Sequence, residues 1–196
     1  MKEVIIWDFD GVIVDSMNIR SDAFRYALDT YSSIIVDDLL SHHLENGGKS
    51  RYEKFERIIS RYPEEEMVMK NLLNRYSKFI DKNLFNHSIL NDSIYTSIKL
   101  NERLGVQQYI ASGSDEVELR RLIEFLNVDK YFKGVYGSPK RKHLIVDNII
   151  KTEARGLDQY LLIGDSKNDM EAAKMNGIDF CMYTINDGVK DERIFS

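Results

Sequence analysis

Residues 4–16 read VIIWDFDGVIVDS. Val4, Ile5, Ile6 and Trp7 are an apolar run that reads as a buried strand, and Asp8, Asp10 and Asp15 follow it with Gly11 among them. Carboxylates crowded at the end of a buried strand repel one another unless something cationic joins them. The same layout recurs along the chain. Apolar residues 109–111 run into SGSD, 135–136 into GSPK and 160–163 into GDSKND, and 178–183 is a fifth apolar run. Strands that alternate with helices predict an α/β fold with a parallel sheet built from βαβ crossovers. Ligands of such sheets gather at the carboxyl ends of the strands, where these polar residues fall.

The intervening segments carry helical spacing. From Asp115, Val117, Leu119, Leu122, Ile123 and Leu126 recur at helix period, with Ser114 or Asp115 as the cap. A second helix from Asn168 ends at Gly177, and a third carries Leu144, Ile145, Ile149 and Ile150. Residues 17–89 break the alternation. They show four helical patterns, the last running from Pro63 to about residue 84, and no buried strand. The expected organisation is a core of residues 1–15 and 90–196 and a helical insert of residues 16–89.

Composition narrows the function. The chain has 196 residues, 43% hydrophobic and 30% charged, with a formal net charge of −5. That charge gives no electrostatic reason to expect nucleic acid or an anionic membrane. No apolar run is long enough to span a bilayer, and the N-terminus lacks the basic region of a signal peptide. The single cysteine, Cys181, excludes an internal disulfide framework and suits a small buried residue on the last strand. The expectation is a cytoplasmic monomer or weak homodimer.

If the sheet closes as expected, Asp8, Asp10, Ser112, a lysine near 140–142, Asp165 and Asp169 converge on one edge. Carboxylates with no paired His or Cys suit a hard cation such as Mg²⁺ rather than zinc. A hydroxyl and a lysine beside that ion make a cradle for a phosphate, with donors from the backbone of Gly113 and Ser114 at a helix start. An aspartate held against phosphorus can attack it, and a second carboxylate can move the proton.

These residues also carry a resemblance. DFDGVIVDS resembles the first signature of the haloacid dehalogenase superfamily of phosphohydrolases, YIASGS the second, GSPKRK the lysine-bearing third and LLIGDSKNDMEAA the fourth, in the family's order. The nearest branch is that of phosphoglycolate phosphatase and β-phosphoglucomutase. The resemblance implies a three-layer Rossmann-like core and a helical cap closing over a small phosphorylated metabolite. It implies Asp8 as nucleophile and Asp10 as general acid/base, the latter also offering its backbone carbonyl to Mg²⁺. Ser112 and Gly113 would bind phosphate with Lys142, or Lys140 by loop length, and Asp165 and Asp169 would serve the metal. A phosphomutase of the same family is the alternative. A phospho-receiver switch uses a similar set, but its lysine comes last along the chain, and here a lysine precedes Asp165.

NGGKS, residues 46–50, is no phosphate-binding P-loop, because His43 stands where that pattern needs glycine and no strand precedes it. It reads either as an inter-helix turn or as a loop that brings Gly48, Lys49 and Arg51 to the substrate. His42 and His43 read as surface residues of a helix.

Overall fold

The computed structural model describes residues 2–86 and 89–185 and the backbone of 188–189; the remainder of the expected core, residues 1, 186–187 and 190–196, lies outside the described residues. Five parallel strands form the sheet: β1 (Val4–Trp7), β2 (Gln107–Asp115), β3 (Gly134–Ser138), β4 (Tyr160–Gly164) and β5 (Asp179–Thr184). A short β6 (Gly188–Val189) runs antiparallel to β5. The strand order is β3-β2-β1-β4-β5-β6, which sets β1 between the two strands whose ends carry Ser112 and Asp165. Trp7 pairs with Ile110 on one side and Ile163 on the other, so the three strands reach their carboxyl ends in step.

Every β1 side chain is buried, because helices cover both faces of the sheet. Alternation along the strand divides them. Val4 and Ile6 join Tyr109, Leu162 and residues of the helices α7 (Lys142–Glu153) and α8 (Lys167–Asn176). Ile5 and Trp7 face the larger cluster on the opposite side. That cluster takes in α5 (Asp92–Arg103), α6 (Glu116–Phe125) and the helices between β1 and α5. Asp115 caps α6 by accepting from the backbone N–H groups of Val117 and Glu118, both at 3.1 Å. Ser166 and Asp169 close a capping box at the start of α8, and Gly177 ends it at φ +66°.

Between β1 and α5 the chain makes α1 (Met17–Ala27), α2 (Ser33–Glu45), α3 (Arg51–Arg61) and α4 (Met69–Asn83). Phe24, Phe55 and Tyr76, from α1, α3 and α4, meet ring to ring at 4.7–6.1 Å, with Phe55 wholly enclosed. The two ends of this segment run side by side: Asp15 N–H donates to Ile89 O at 2.7 Å and Asn91 N–H to Ile13 O at 2.9 Å.

Two sequence expectations change. Residues 63–84 do not form one helix. Pro63–Glu65 makes a single 3₁₀ turn, Glu66 takes a left-handed φ of +47°, and α4 starts only at Met69. The turn lets Met67 bury its side chain, which outweighs the helical spacing. Helix α5 has no counterpart in the sequence reading, since Ser93, Thr96 and Ser97 are indifferent helix formers; Ile94 and Ile98, one turn apart, hold it to the core.

Phe55→Ala is expected to lower the unfolding free energy by about 3–5 kcal/mol, because the aromatic cluster cannot collapse into the space left. Urea denaturation followed by circular dichroism measures it.

Candidate active site

The end of β1 delivers Asp8 into the sheet's centre, nearly fully buried, with its N–H donating to Ile163 O at 2.8 Å. The end of β4 delivers Asp165, and the first turn of α8 delivers Asp169, which is entirely buried. Oxygens of Asp8, Asp165 and Asp169 lie within 4.8 Å of one another. This crowding needs space that only glycine leaves. A Cβ on Gly11, itself at φ +79°, would stand 2.1 Å from an Asp165 oxygen.

Lys142 supplies the local positive charge. Its ammonium is 2.7 Å from Asp8 Oδ1 and also contacts Asp169 Oδ1. The first turn of α7 holds it there, whereas Lys140 and Arg141 point to solvent. Asp169 Oδ2 is occupied by Ser166, through its N–H at 3.0 Å and its hydroxyl at 2.5 Å. Burial pushes the Asp8 carboxyl well above the ordinary carboxylate range, and Asp169 adds to it while Lys142 opposes. Burial and the Asp169 charge likewise push Asp165 up to about 6. Three oxygen-only acids within reach of one ion, with Asp8 and Asp165 resisting ionisation, fit a hard divalent cation.

Asp10 has a different setting. Its Oδ1 accepts from Arg20 Nε at 2.6 Å and Ser16 Oγ at 2.5 Å, and its Oδ2 from Ser114 Oγ at 2.5 Å. Burial alone would raise this carboxyl, but the Arg20 guanidinium and the two hydroxyls outweigh it and hold Asp10 below its usual range. Its side chain is therefore not among the three clustered acids, and only its main-chain carbonyl remains for a metal role. Asp15, at the solvent surface, is outside the cluster too.

Ser112 is buried beside Asp8, its hydroxyl accepting from Ser114 N–H at 3.0 Å, where β2 loses register between Ala111 and Asp115. The loop 46–50 reaches down to this point. A Cβ on Gly113 would come 2.3 Å from Gly48 O, and that carbonyl accepts from Asn168 Nδ2 at 3.0 Å. Gly48 and Lys49 thus stand over the strand ends, and Arg51 ties the same loop to α6. Arg51 bonds Glu118 at 2.6 Å and approaches Asp115 at 3.3 Å, and Tyr52 donates to Asp115 at 2.7 Å. Glu118 also takes Arg20 at 2.7 Å, so one buried carboxylate joins α1 and α3 to the sheet side.

A narrow cavity of about 30 Å³ lies among Asp8, Asp10, Arg20, His43, Lys54 and Ser112. A wider one, about 270 Å³, opens past Lys49 between Lys140, Arg141 and His143, a basic approach suited to an anion. Arg20, His43, Lys54 and Glu118 had no sequence signal, being scattered over four helices. His43 corrects an expectation: it is 1% exposed, enclosed by Phe24 and Lys54, not a surface residue.

The family model for haloacid dehalogenase-like hydrolases matches residues 5–183. The chain belongs to that family. Among curated haloacid dehalogenase relatives, a phosphoglycolate phosphatase of Colwellia psychrerythraea is 26% identical over 187 residues, covering 91% of this chain and 82% of its own. One from Mesorhizobium japonicum is 23% identical, covering 90% and 80%. The crystal structure of a predicted phosphoglycolate phosphatase from Haemophilus somnus superposes with a TM-score of 0.77 at 17% identity, over 96% of this chain and 87% of that one. The chain is a phosphatase of the haloacid dehalogenase type with the α/β Rossmann-like fold. Among the described residues no helix is long and apolar enough to cross a membrane.

The raised Asp165 pKa predicts a linkage. Between about pH 4 and 6 the folded state holds a proton that the unfolded state has lost, so the group's destabilisation is full above 6 and gone below the ordinary value of 3.8. In chelator at pH 7.5, Asp165→Asn is expected to melt above wild type. The gap should narrow as pH falls from 6 towards 4, which thermal scans of both proteins would measure.

Proposed function

We propose that this phosphatase is Mg²⁺-dependent and hydrolyses a small phosphomonoester through a phosphate ester on Asp8. The observation that supports it best is the buried Asp8 carboxylate set between Lys142 and the Asp165–Asp169 pair, with the Ser112 hydroxyl and the Gly113 backbone beside it. Asp8, Asp165, Asp169 and the Asp10 carbonyl would hold the ion, which when bound neutralises the carboxylates and the phosphoryl oxygens.

Lys142 then turns from the Asp8–Asp169 pair to a phosphoryl oxygen, and Ser112 Oγ and Gly113 N–H donate to the others. Asp8 Oδ attacks phosphorus in line as the ester oxygen leaves. Asp10 protonates that oxygen and afterwards takes a proton from the water that cleaves the phosphoaspartate. The phosphate's own negative charge raises the Asp10 pKa against the pull of Arg20, so the acid form becomes accessible when substrate is present. Helices α1–α4 act as a cap of residues 16–89 over the core. Gly48 and Lys49 close the phosphate off from bulk water, and Lys49 and Arg51 set the loop on the substrate. A small phosphorylated metabolite, met by a monomer or weak homodimer in the cytoplasm, completes this reading. The substrates named for the relatives, phosphoglycolate first, are the leading candidates.

Wild type with Mg²⁺ should release inorganic phosphate from one or more esters of a phosphorylated-metabolite panel, and excess chelator should stop it. Asp8→Asn should lower kcat by a factor of about 10³ or more, since it deletes the nucleophile and leaves the charge-binding groups in place. An Asp8→Asn enzyme retaining most of its turnover would overturn the mechanism.

A further inference from the structure

His43 has no part in the phosphoryl transfer just described, yet it lines the same cavity as Asp8 and Asp10. Its ring is held on two sides. The Phe24 ring lies 4.8 Å away centroid to centroid, and Lys54 Nζ is 2.9 Å from Nδ1. Lys54 itself is buried and is fixed by a second bond to Gly47 O at 3.1 Å. Burial lowers the Lys54 pKa to about 7; its ammonium form has only donors, and with that form Nδ1 accepts and the ring proton sits on Nε2. Burial first, then the charges of Lys54 and Arg20, push the His43 pKa down to about 3, so the ring stays neutral, and against the charged Lys54 its donor is Nε2.

Nε2 is buried and has no partner among the described residues. Arg20 repeats the pattern: its Nε serves Asp10, its Nη1 serves Glu118, and its buried Nη2 has no partner among the described residues. Buried donors are seldom left unpaired, because each forfeits its hydration. The residues that carry these two, on α1 and α2, line one cavity with Arg51, whose buried Nε is also without a partner among the described residues, and its other wall, Asp8 and Ser112, is already assigned to the phosphate. An oxygen-bearing group attached to that phosphate would satisfy both.

We propose that His43 Nε2 and Arg20 Nη2 form the leaving-group subsite. Its ligand is the phosphate ester of a short alcohol carrying a carboxylate or hydroxyl beside the ester, and Lys54 is the positioning residue for His43. The narrowness of the cavity favours a short chain. This proposal rests on the phosphatase reading above and deepens it.

The test measures kcat/KM for 2-phosphoglycolate, glycerol 1-phosphate and phenyl phosphate, whose leaving group has no second acceptor. Wild type should prefer one polar ester over phenyl phosphate, the first identifying a carboxylate and the second a hydroxyl. His43→Phe keeps the ring against Phe24 and should shrink that preference by about tenfold or more. His43→Gln, which retains a donor, should recover part of it, and Lys54→Met should move it in the same direction as His43→Phe. If His43→Phe fails to fold by circular dichroism, Lys54→Met carries the comparison. An unchanged preference in the folded variants, or no preference in wild type, overturns the subsite. Hydrolysis of none of the three esters while others of the metabolite panel are hydrolysed overturns the subsite, and hydrolysis of no ester of the panel overturns the phosphatase reading.

Discussion

Mutual repulsion among carboxylates governs this structure. Asp8 and Asp165, at the carboxyl ends of adjacent parallel strands, and Asp169, in the first turn of α8, are brought within 4.8 Å of one another in a place from which water is largely excluded. Left alone, such a set would take up protons or push the strand ends apart. Lys142 relieves part of the strain by bonding two of the three. The rest of the imbalance is what the divalent cation of the proposed mechanism would offset. The fold's stability is therefore set against its activity at one point, as expected of sites that concentrate like charge.

The same constraint explains features that would otherwise look unrelated. Gly11 is where Asp165 needs room, and a Cβ on Gly164 would stand 2.4 Å from Asp169. Asp169 does double service, capping its own helix through Ser166 with one oxygen and holding Lys142 with the other. Asp10, two residues from Asp8 on the same loop, avoids the cluster because Arg20, Ser16 and Ser114 draw its carboxyl aside. Two acids adjacent in sequence thereby acquire opposite pKa shifts, the usual way in which one pair of aspartates comes to serve two chemical roles.

Helices α1–α4 are bound to this centre through charge as much as through packing. Glu118 on α6 is the shared anion: Arg20 from α1 and Arg51 from α3 both end on it. Because Arg20 also holds Asp10, the charge state of Asp10 is linked to the position of the overlying helices. The close approach of Gly48 O to Gly113 puts the loop 46–50 directly against the end of β2.

The α/β architecture, the strand ends and the acids on them were legible in the order of residues. Each depends on a local rule: an apolar run makes a buried strand, a parallel sheet exposes its carboxyl ends, and a carboxylate placed there faces its neighbours. The choice of Lys142 over Lys140 depended on where α7 begins, a matter of two residues. The burial of His43 and Lys54, the sharing of Glu118 and the diversion of Asp10 to Arg20 were not legible. Those pairings join residues 10 to 98 positions apart, and nothing in the spacing of a sequence encodes which surface of one helix will meet which surface of another. Local sequence determined the chemistry available at the sheet's edge. Only the packing of α1–α4 onto it decided which charges are paired and which donors remain for a substrate.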